Sequence, residues 1–350
     1  MNDQGQTGND AAADSRIAYV VLNYNGLDDT LECLQSLDTA RDSRTDVIVV
    51  DNASSVSPED AIRDRYPWVH LVLNDKNRGW SGGNNSGIQR ALELGARWIV
   101  LLNNDTTVSD SMVKRHWTVT QQEPDLAVYG PLINEYDEPE QLQTSVCWFN
   151  RQDADAFFSS ESIDSQAINQ YDRALILDTD IVNGCCMIIR RDVFEEIGMI
   201  DDAFFLIHEE SDFCLRAKQA GFRLGVLAEA HIWHKHSVSF QRAGKPLQRY
   251  YGTRNLGLLL RKHAKRPKSR NRISSKIQYY RHAYHVYCHE RELQNPAGAE
   301  AVLEGMSDFW SRRFGVRAER SRWQMPMLRA FFASTWRLCG SASGAATSKK

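Results

Sequence analysis

The sequence predicts an α/β fold: a mostly parallel sheet with helices on both faces, followed by a helical, basic C-terminal arm. Three observations carry the prediction. Short apolar runs alternate with stretches of helical periodicity four times before Asn104, the pattern that right-handed crossovers impose on parallel strands. Three of the runs end in polar tips, Asn23-Tyr24-Asn25, Asp51-Asn52 and Asn103-Asn104-Asp105. A parallel sheet lines such tips up along its carboxyl edge, where open α/β sheets hold ligands. Charge is also divided: residues 1–240 hold 19 Lys+Arg against 39 Asp+Glu, and residues 241–350 hold 23 against 6.

Arg16 to Leu22 is an apolar run stopped by the turn formers Asn23-Tyr24-Asn25-Gly26, so it reads as the first strand. Leu27, Leu31, Leu34 and Leu37 then recur at helical spacing. Val47 to Val50 forms a second strand, closed by Asp51-Asn52-Ala53-Ser54. A helix from about Pro58 to Tyr66 and a strand from Val69 to Leu73 follow. Next come a glycine-rich loop from Asn77 to Gly87, a helix from about Asn84 to Leu94, and the strand Trp98 to Leu102. A helix from Ser109 to Gln121 and a strand near Ala127 to Tyr129 come after it. Between Glu135 and Asp178 periodicity is poor, and the segment is expected to leave the sheet as a lid or acceptor-facing loop. Order returns with the apolar run Ile181 to Arg190 and a helix through Val193, Phe194 and Ile197 that stops at Gly198. Further on, Ile277, Tyr280, Tyr284 and Tyr287 predict a helix with an aromatic face packed as core.

Five stretches carry chemistry. The run Trp98 to Leu102 delivers Asn103-Asn104-Asp105 to the sheet edge, where a carboxylate beside amide oxygens suits a hard divalent cation that bridges nucleotide phosphates. The same residues also suit a helix cap. Asp51 can accept from the imide N–H of a uracil or thymine ring, or serve as a turn residue. The stretch Asn77 to Gly87 carries Gly79, Gly82, Gly83 and Asn84, whose backbone N–H groups at a helix start can face a diphosphate. It has neither the Gly-Lys-Ser/Thr ending of a phosphate loop nor the position of a dinucleotide fingerprint. Glu209, Glu210 and Asp212 fall at an expected helix start. Acids there favour the helix dipole, but three together repel, and an apolar setting lifts a carboxyl toward a general base. His231, His234 and His236 lack a second cluster to complete a zinc site, so one of them joining a carboxylate-bound Mg2+ or Mn2+ is the sharper option.

Composition excludes several classes. No apolar run approaches the ~20 residues of a membrane span, and residues 1–15 have neither a basic nor an apolar region of a secretory signal. The seven cysteines are odd in number and contain no Cys-x-x-Cys pair, which argues against a disulfide framework and for a reducing cytosol. The expected organisation is a disordered tail over 1–15, an α/β domain over 16–240, a helical extension over 241–339 and a disordered tail over 340–350. The basic extension, with Trp323, Met327, Phe331 and Trp336 among arginines, is a candidate for contact with an anionic membrane surface.

Taken together, Val20 to Gly26, Val49 to Ser54, Asn77 to Gly87, Leu102 to Thr106, Asn183 to Arg191, Glu209 to Arg216 and Trp233 to Ser239 resemble, in order, an inverting glycosyltransferase of family 2 in its rhamnosyltransferase-like branch. The resemblance implies the nucleotide-diphosphosugar transferase (GT-A) fold over residues 16–240. It implies Asp105 and His234 as metal ligands for Mg2+ or Mn2+, and Asn103 as the amide of the metal motif. Asp51 is implied as the base-reading acid, with Asn23, Asn25, Asn52 and Asn104 near the nucleotide. Glu210 falls where the family has an Asp as catalytic base, and this departure makes Glu209 a rival.

The resemblance implies a nucleotide diphosphate sugar donor, dTDP-rhamnose first among them. The implied acceptor is a growing, lipid-linked saccharide on the cytoplasmic face of the inner membrane. A UDP-hexose donor uses the same imide edge. A nucleic-acid-binding protein organised by the basic arm, or a catalytically dead scaffold, are readings of another class. The arm has no recognisable recognition module and the acidic body would repel phosphate, so no nucleic acid is expected.

Overall fold

The computed structural model describes residues 16–143, 145–149, 158–162, 176–235, 245–263, 270–318 and 324–344. The chain divides into two compact units, Met1–Phe205 with Glu209–Val238, and Leu206–His208 with Ser239–Lys350. The expected tail over 1–15 lies outside the described residues, as do His236 and Trp323. The tail expected from Gly340 begins instead inside a helix that runs to Gly344.

The first unit is a twisted mixed sheet clasped by helices. β1 (Ile17–Asn23), β2 (Thr45–Asp51), β3 (His70–Leu73) and β4 (Trp98–Asn103) are parallel, in the spatial order β3-β2-β1-β4. α1 (Leu27–Ala40), α2 (Glu59–Arg65) and α3 (Gly79–Glu93) make the crossovers. Alternation along the strands explains the layers. Ile17, Tyr19 and Val21 with Val47 and Val49 pack against Leu34 and Leu37 of α1, while Ala18 and Val20 with Ile48 and Val50 pack against Ile88 and Ala91 of α3. Successive strand residues face opposite ways, so an unbroken apolar run supplies both cores. Each fully buried Val, Leu or Ile contributes about 1.5–3 kcal/mol.

Beyond β4 the sheet becomes mixed. β5 (Thr106–Val108) and α4 (Met112–Gln122) lead to β6 (Leu126–Glu135). The segment expected to wander contains a hairpin of β7 (Ser145–Phe149) and β8 (Phe158–Ser162), and then β9 (Ile176–Asp178). β10 (Cys186–Arg190) inserts antiparallel between β4 and β6. After α5 (Arg191–Ile197) and α6 (Glu209–Gln219), β11 (Arg223–His234) runs parallel to β6 and antiparallel to β5. That last pairing sets His234 opposite Thr106. A residue from the end of the unit is thereby carried back to the tip of β4.

The second unit is helical, with α7 (Lys245–His263), α8 (Arg270–Glu292), α9 (Pro296–Trp310) and α10 (Met325–Gly344). Its centre is polar as well as aromatic. Arg254 is fully buried, its guanidinium stacked 4.8 Å from the Tyr251 ring and its Nη1 donating to Gly315 O at 2.6 Å. Buried Glu290 accepts from Arg249 and Asn295, both at 2.6 Å. The aromatic stripe of α8 is rotated from the expected one: Tyr279, Ala283 and Tyr287 are buried, while Ile277 and Tyr280 are exposed. Spacing of four, set by the ring contacts of Tyr279 with Phe309 and of Tyr287 with Phe332, decides the face.

Candidate active site

The carboxyl ends of β1 and β2 make the first wall. Asn23 and Asp51 are register partners. The Asn23 amide donates to Asp51 Oδ1 at 2.8 Å, and Ser54 donates to the same carboxylate through its hydroxyl at 2.6 Å and its backbone N–H at 3.1 Å. Asn25, at φ 55°, accepts from the Ser55 N–H at 2.8 Å and so ties the two turns together. Asn52 is buried with its amide fully engaged, donating to Asn77 Oδ1 and Gly79 O and accepting from Asn74 and the Arg78 N–H. It braces the approach to α3.

That approach corrects the expected glycine loop, because α3 already begins at Gly79. Its glycines are there for close packing. A β-carbon on Gly79 would fall 2.2 Å from Phe205 O, and one on Gly83 would fall 2.5 Å from Leu22 Cδ1. Gly82 would meet Arg78 Cβ at 2.8 Å, and Asn84 is buried with its amide donating to Trp80 O at 2.9 Å. The helix start therefore presses on its neighbours instead of standing free.

At the tip of β4, Asn103 Oδ1 accepts from Trp80 Nε1 at 3.1 Å, and Asn104 donates to Gly26 O and Thr30 Oγ1, each at 3.0 Å. Thr30 Oγ1 lies 2.9 Å from Asn23 Oδ1. A continuous polar chain thus runs along the edge from Asp51 through Asn23 and Thr30 to Asn104. Beyond it Asp105 is buried, and its Oδ1 stands 3.2 Å from His234 Nε2. Two donors on one cation at the ~2.1 Å distance of Mg2+ sit about 3 Å apart when adjacent in an octahedron, so the pair fits such an ion. Among the described residues no group of three or more His, Cys, Asp or Glu side chains suits a metal. A two-donor site leaves the remaining positions to phosphate oxygens and water, as is usual for Mg2+. Next to it Lys235 Nζ bonds Glu32 at 2.5 Å and Asp29 at 3.0 Å.

Two acids open α6. Glu209 is buried, its Oε2 has no hydrogen-bond partner among the described residues, and burial, reinforced by the charge of Glu210, holds its carboxyl well above the usual range. Glu210 is partly exposed and accepts from the Ser211 hydroxyl at 2.9 Å. A β-carbon on Gly184 would touch Glu210 Cβ and Trp80 Cζ2, each at 3.4 Å. Glu210 therefore stands beside the indole that bonds Asn103. The Asp212–Arg216 pair, at 2.9 Å, is spent on architecture, because Arg216 also donates to Ile197 O and Met199 O.

Residues 19–198 match the family described as glycosyl transferase family 2. The chain belongs to that family. Relatives of this family 2 glycosyltransferase include a low-salt glycan biosynthesis hexosyltransferase of Haloferax volcanii, 25% identical over 68% of this chain and 73% of the relative. A dTDP-rhamnosyl transferase of Shigella flexneri is 24% identical over 71% and 81%. An N-acetylglucosaminyl-diphospho-decaprenol L-rhamnosyltransferase of Mycobacterium tuberculosis is 21% identical over 60% and 72%. Among solved structures, residues 1–349 of S. aureus TarS in complex with UDP-GlcNAc superpose with a TM-score of 0.53 at 14% identity, over 84% of this chain and 80% of that fragment. GalNAc-T7 with UDP, GalNAc and Mn2+ gives 0.50 at 14% identity, over 63% and 43%. The fold is GT-A.

In this glycosyltransferase the candidate site brings in residues that the sequence did not single out. Trp80 lay inside the glycine stretch, where a lone aromatic among glycines was the available signal. Ser54 and Thr30 complete the polar chain, and nothing in their spacing distinguishes them from helix-cap and turn residues. Gln143 accompanies His234, its Oε1 3.1 Å from Nδ1. It comes from the segment of poorest periodicity and left no signal.

Proposed function

We propose that the protein transfers L-rhamnose from dTDP-rhamnose, with inversion, to a hydroxyl of a growing lipid-linked saccharide in cell-surface polysaccharide synthesis. The observation that carries the site assignment is the meeting of Asp105 and His234 at the carboxyl edge of the sheet, next to the polar chain from Asp51. Asp51 keeps lone-pair capacity on Oδ2 for the imide N–H of thymine, with Asn23 and Asn25 shaping that end and Asn52, Gly79, Gly82, Gly83 and Asn84 building the wall behind it. Asp105 and His234 would hold Mg2+ or Mn2+, with Asn103 and Asn104 fixing the strand tip that presents Asp105. Such an ion, when bound, offsets charge on the departing diphosphate.

Glu210 takes the proton of the acceptor hydroxyl, which attacks the anomeric carbon from the side opposite the nucleotide. Burial, and then the charge of Glu210, oppose ionisation of Glu209, which leaves Glu210 the better placed of the two for that role. The donor assignment rests on the kinship with rhamnosyl transferases. Among the described residues no helix is long and apolar enough to cross a membrane. Exposed Trp310, Val316, Met327 and Phe331 in the strongly basic helical unit support a peripheral contact with anionic lipid.

The test is donor turnover by the purified chain across dTDP-rhamnose and UDP-hexoses with Mn2+ or Mg2+. The expected result is release of dTDP from dTDP-rhamnose, lost on chelation and restored by the ion. Turnover of a UDP-hexose alone would overturn the donor assignment, and full turnover after chelation would overturn the cation.

A further inference from the structure

Gln143 touches His234 twice. Its Oε1 lies 3.1 Å from His234 Nδ1, and its Nε2 donates to the His234 carbonyl at 3.0 Å and to Glu135 Oε2 at 2.9 Å. Both amide hydrogens of Gln143 are thereby committed to oxygens that only accept. Turning the amide over would set its oxygen against the Glu135 carboxylate and the His234 carbonyl, so the network fixes its orientation. Oε1 then has to accept, and the hydrogen between Oε1 and Nδ1 has to sit on the imidazole. His234 is held with Nδ1 protonated and with Nε2 facing Asp105 Oδ1, 3.2 Å away.

The holder is itself held. Glu135 closes β6 and is the register partner of His234 on β11. The Gln143 N–H donates to Ile133 O at 2.7 Å, the Glu135 N–H donates to Gln141 O at 2.8 Å, and Leu142 bridges to Asn134. The side chain projects from backbone pinned to the sheet. A histidine that binds a metal through one nitrogen ordinarily donates from the other to an acceptor that sets tautomer and direction, and losing that acceptor weakens binding by about 10- to 100-fold.

We propose that Gln143, anchored by Glu135, is the positioning residue that fixes the tautomer and direction of the His234 ring, and so offers Nε2 to the divalent cation shared with Asp105. The proposal rests on the cation role given to Asp105 and His234 above. Its readouts are the 15N shifts of the His234 imidazole in the metal-free full chain at about pH 8, above the usual imidazole range, and the affinity for the Mn2+–dTDP complex from water-proton relaxation.

The wild-type protein is expected to show Nδ1 protonated, and Gln143→Leu to weaken Mn2+–dTDP binding about 10- to 100-fold with mixed tautomers. The double variant Gln143→Glu with Glu135→Gln keeps an acceptor for Nδ1 while removing the donor to the His234 carbonyl. It should retain both tautomer and affinity, whereas a purely structural brace would fail in both variants. Should Gln143→Leu not fold, the wild-type tautomer and the double variant decide alone. An Nδ1 without its proton in the wild type, or unchanged affinity in folded Gln143→Leu, overturns the role of Gln143. Failure of the wild type to bind Mn2+–dTDP overturns the cation reading as well.

Discussion

Asn23 donates its side-chain amide to Asp51 Oδ1 at 2.8 Å across the parallel pairing of β1 and β2, where the two are register partners. With Ser54 donating twice to the same carboxylate, Asp51 is fixed in direction before any ligand arrives. Removing a hydrogen bond to a charged group costs about 1.5–3 kcal/mol. Asp51→Ala should therefore raise the Kd for dTDP roughly 10- to 100-fold, read by calorimetry. CDP has no imide N–H, so its affinity should be weak in the wild type and change little in the variant. Equal losses for dTDP and CDP would show that Asp51 only supports the turn.

Glu210 and Glu209 are adjacent in sequence but differ in surroundings, and their variants should differ accordingly. Glu210→Gln is expected to lower turnover by about 10²- to 10⁴-fold, the usual share of a general base, with dTDP affinity unchanged. Glu209→Gln replaces a buried carboxyl whose ionisation its surroundings oppose with an amide, and should keep most activity. A Glu210→Gln protein with wild-type turnover would hand the proton transfer to another acid.

The same burial of Glu209 gives a pH dependence of stability. Its folded-state carboxyl lies well above the usual range because burial, and then the Glu210 charge, oppose ionisation. Between the unfolded and folded values the native state binds more protons than the unfolded chain, so this group's contribution falls as pH rises through that window. The loss starts above the ordinary glutamate value, about 4.3, and ends once the folded group ionises. Urea melts from about pH 4 to pH 8 should show wild-type stability dropping relative to Glu209→Gln. Parallel curves for the two proteins would contradict the assignment.

The parallel half of the fold was legible because apolar runs closed by polar tips encode strand and edge together: Ile17–Asn23, Thr45–Asp51 and Trp98–Asn103 each end on the residue expected at the cleft. The antiparallel entry of β10 was not, since periodicity says nothing about strand direction. The glycine stretch misled for a physical reason. Glycine is read as loop by propensity, yet Gly83 and Gly87 sit in a helix that must lie closer to Leu22 and Val20 than a methyl group allows. That one histidine of the cluster His231, His234 and His236 joins a carboxylate-bound cation was readable from the residues, but the choice of His234 as partner of Asp105 came from family resemblance, because the two meet only through the pairing of β5 with β11.

Two glycines in helices separate the two reasons for the residue. A β-carbon on Gly87 would fall 2.2 Å from Val20 Cγ1 and 2.9 Å from Val50 Cγ2, both in the sheet core, whereas one on Gly252 in α7 meets nothing within 4 Å. Alanine gains about 1 kcal/mol over glycine in a helix interior, but overpacking a core costs about 1–3 kcal/mol, and β1 and β2 cannot recede without disturbing Asn23 and Asp51 at their ends. Gly87→Ala should thus lower the unfolding midpoint and weaken dTDP binding together, while Gly252→Ala should raise stability by about 0.5–1 kcal/mol and leave dTDP binding unchanged. Thermal and urea melts with nucleotide titrations distinguish the pair. Stabilisation by both alanines would mean that α3 can lift from the sheet at little cost, and that the close approach of helix to strand is not what places the nucleotide wall.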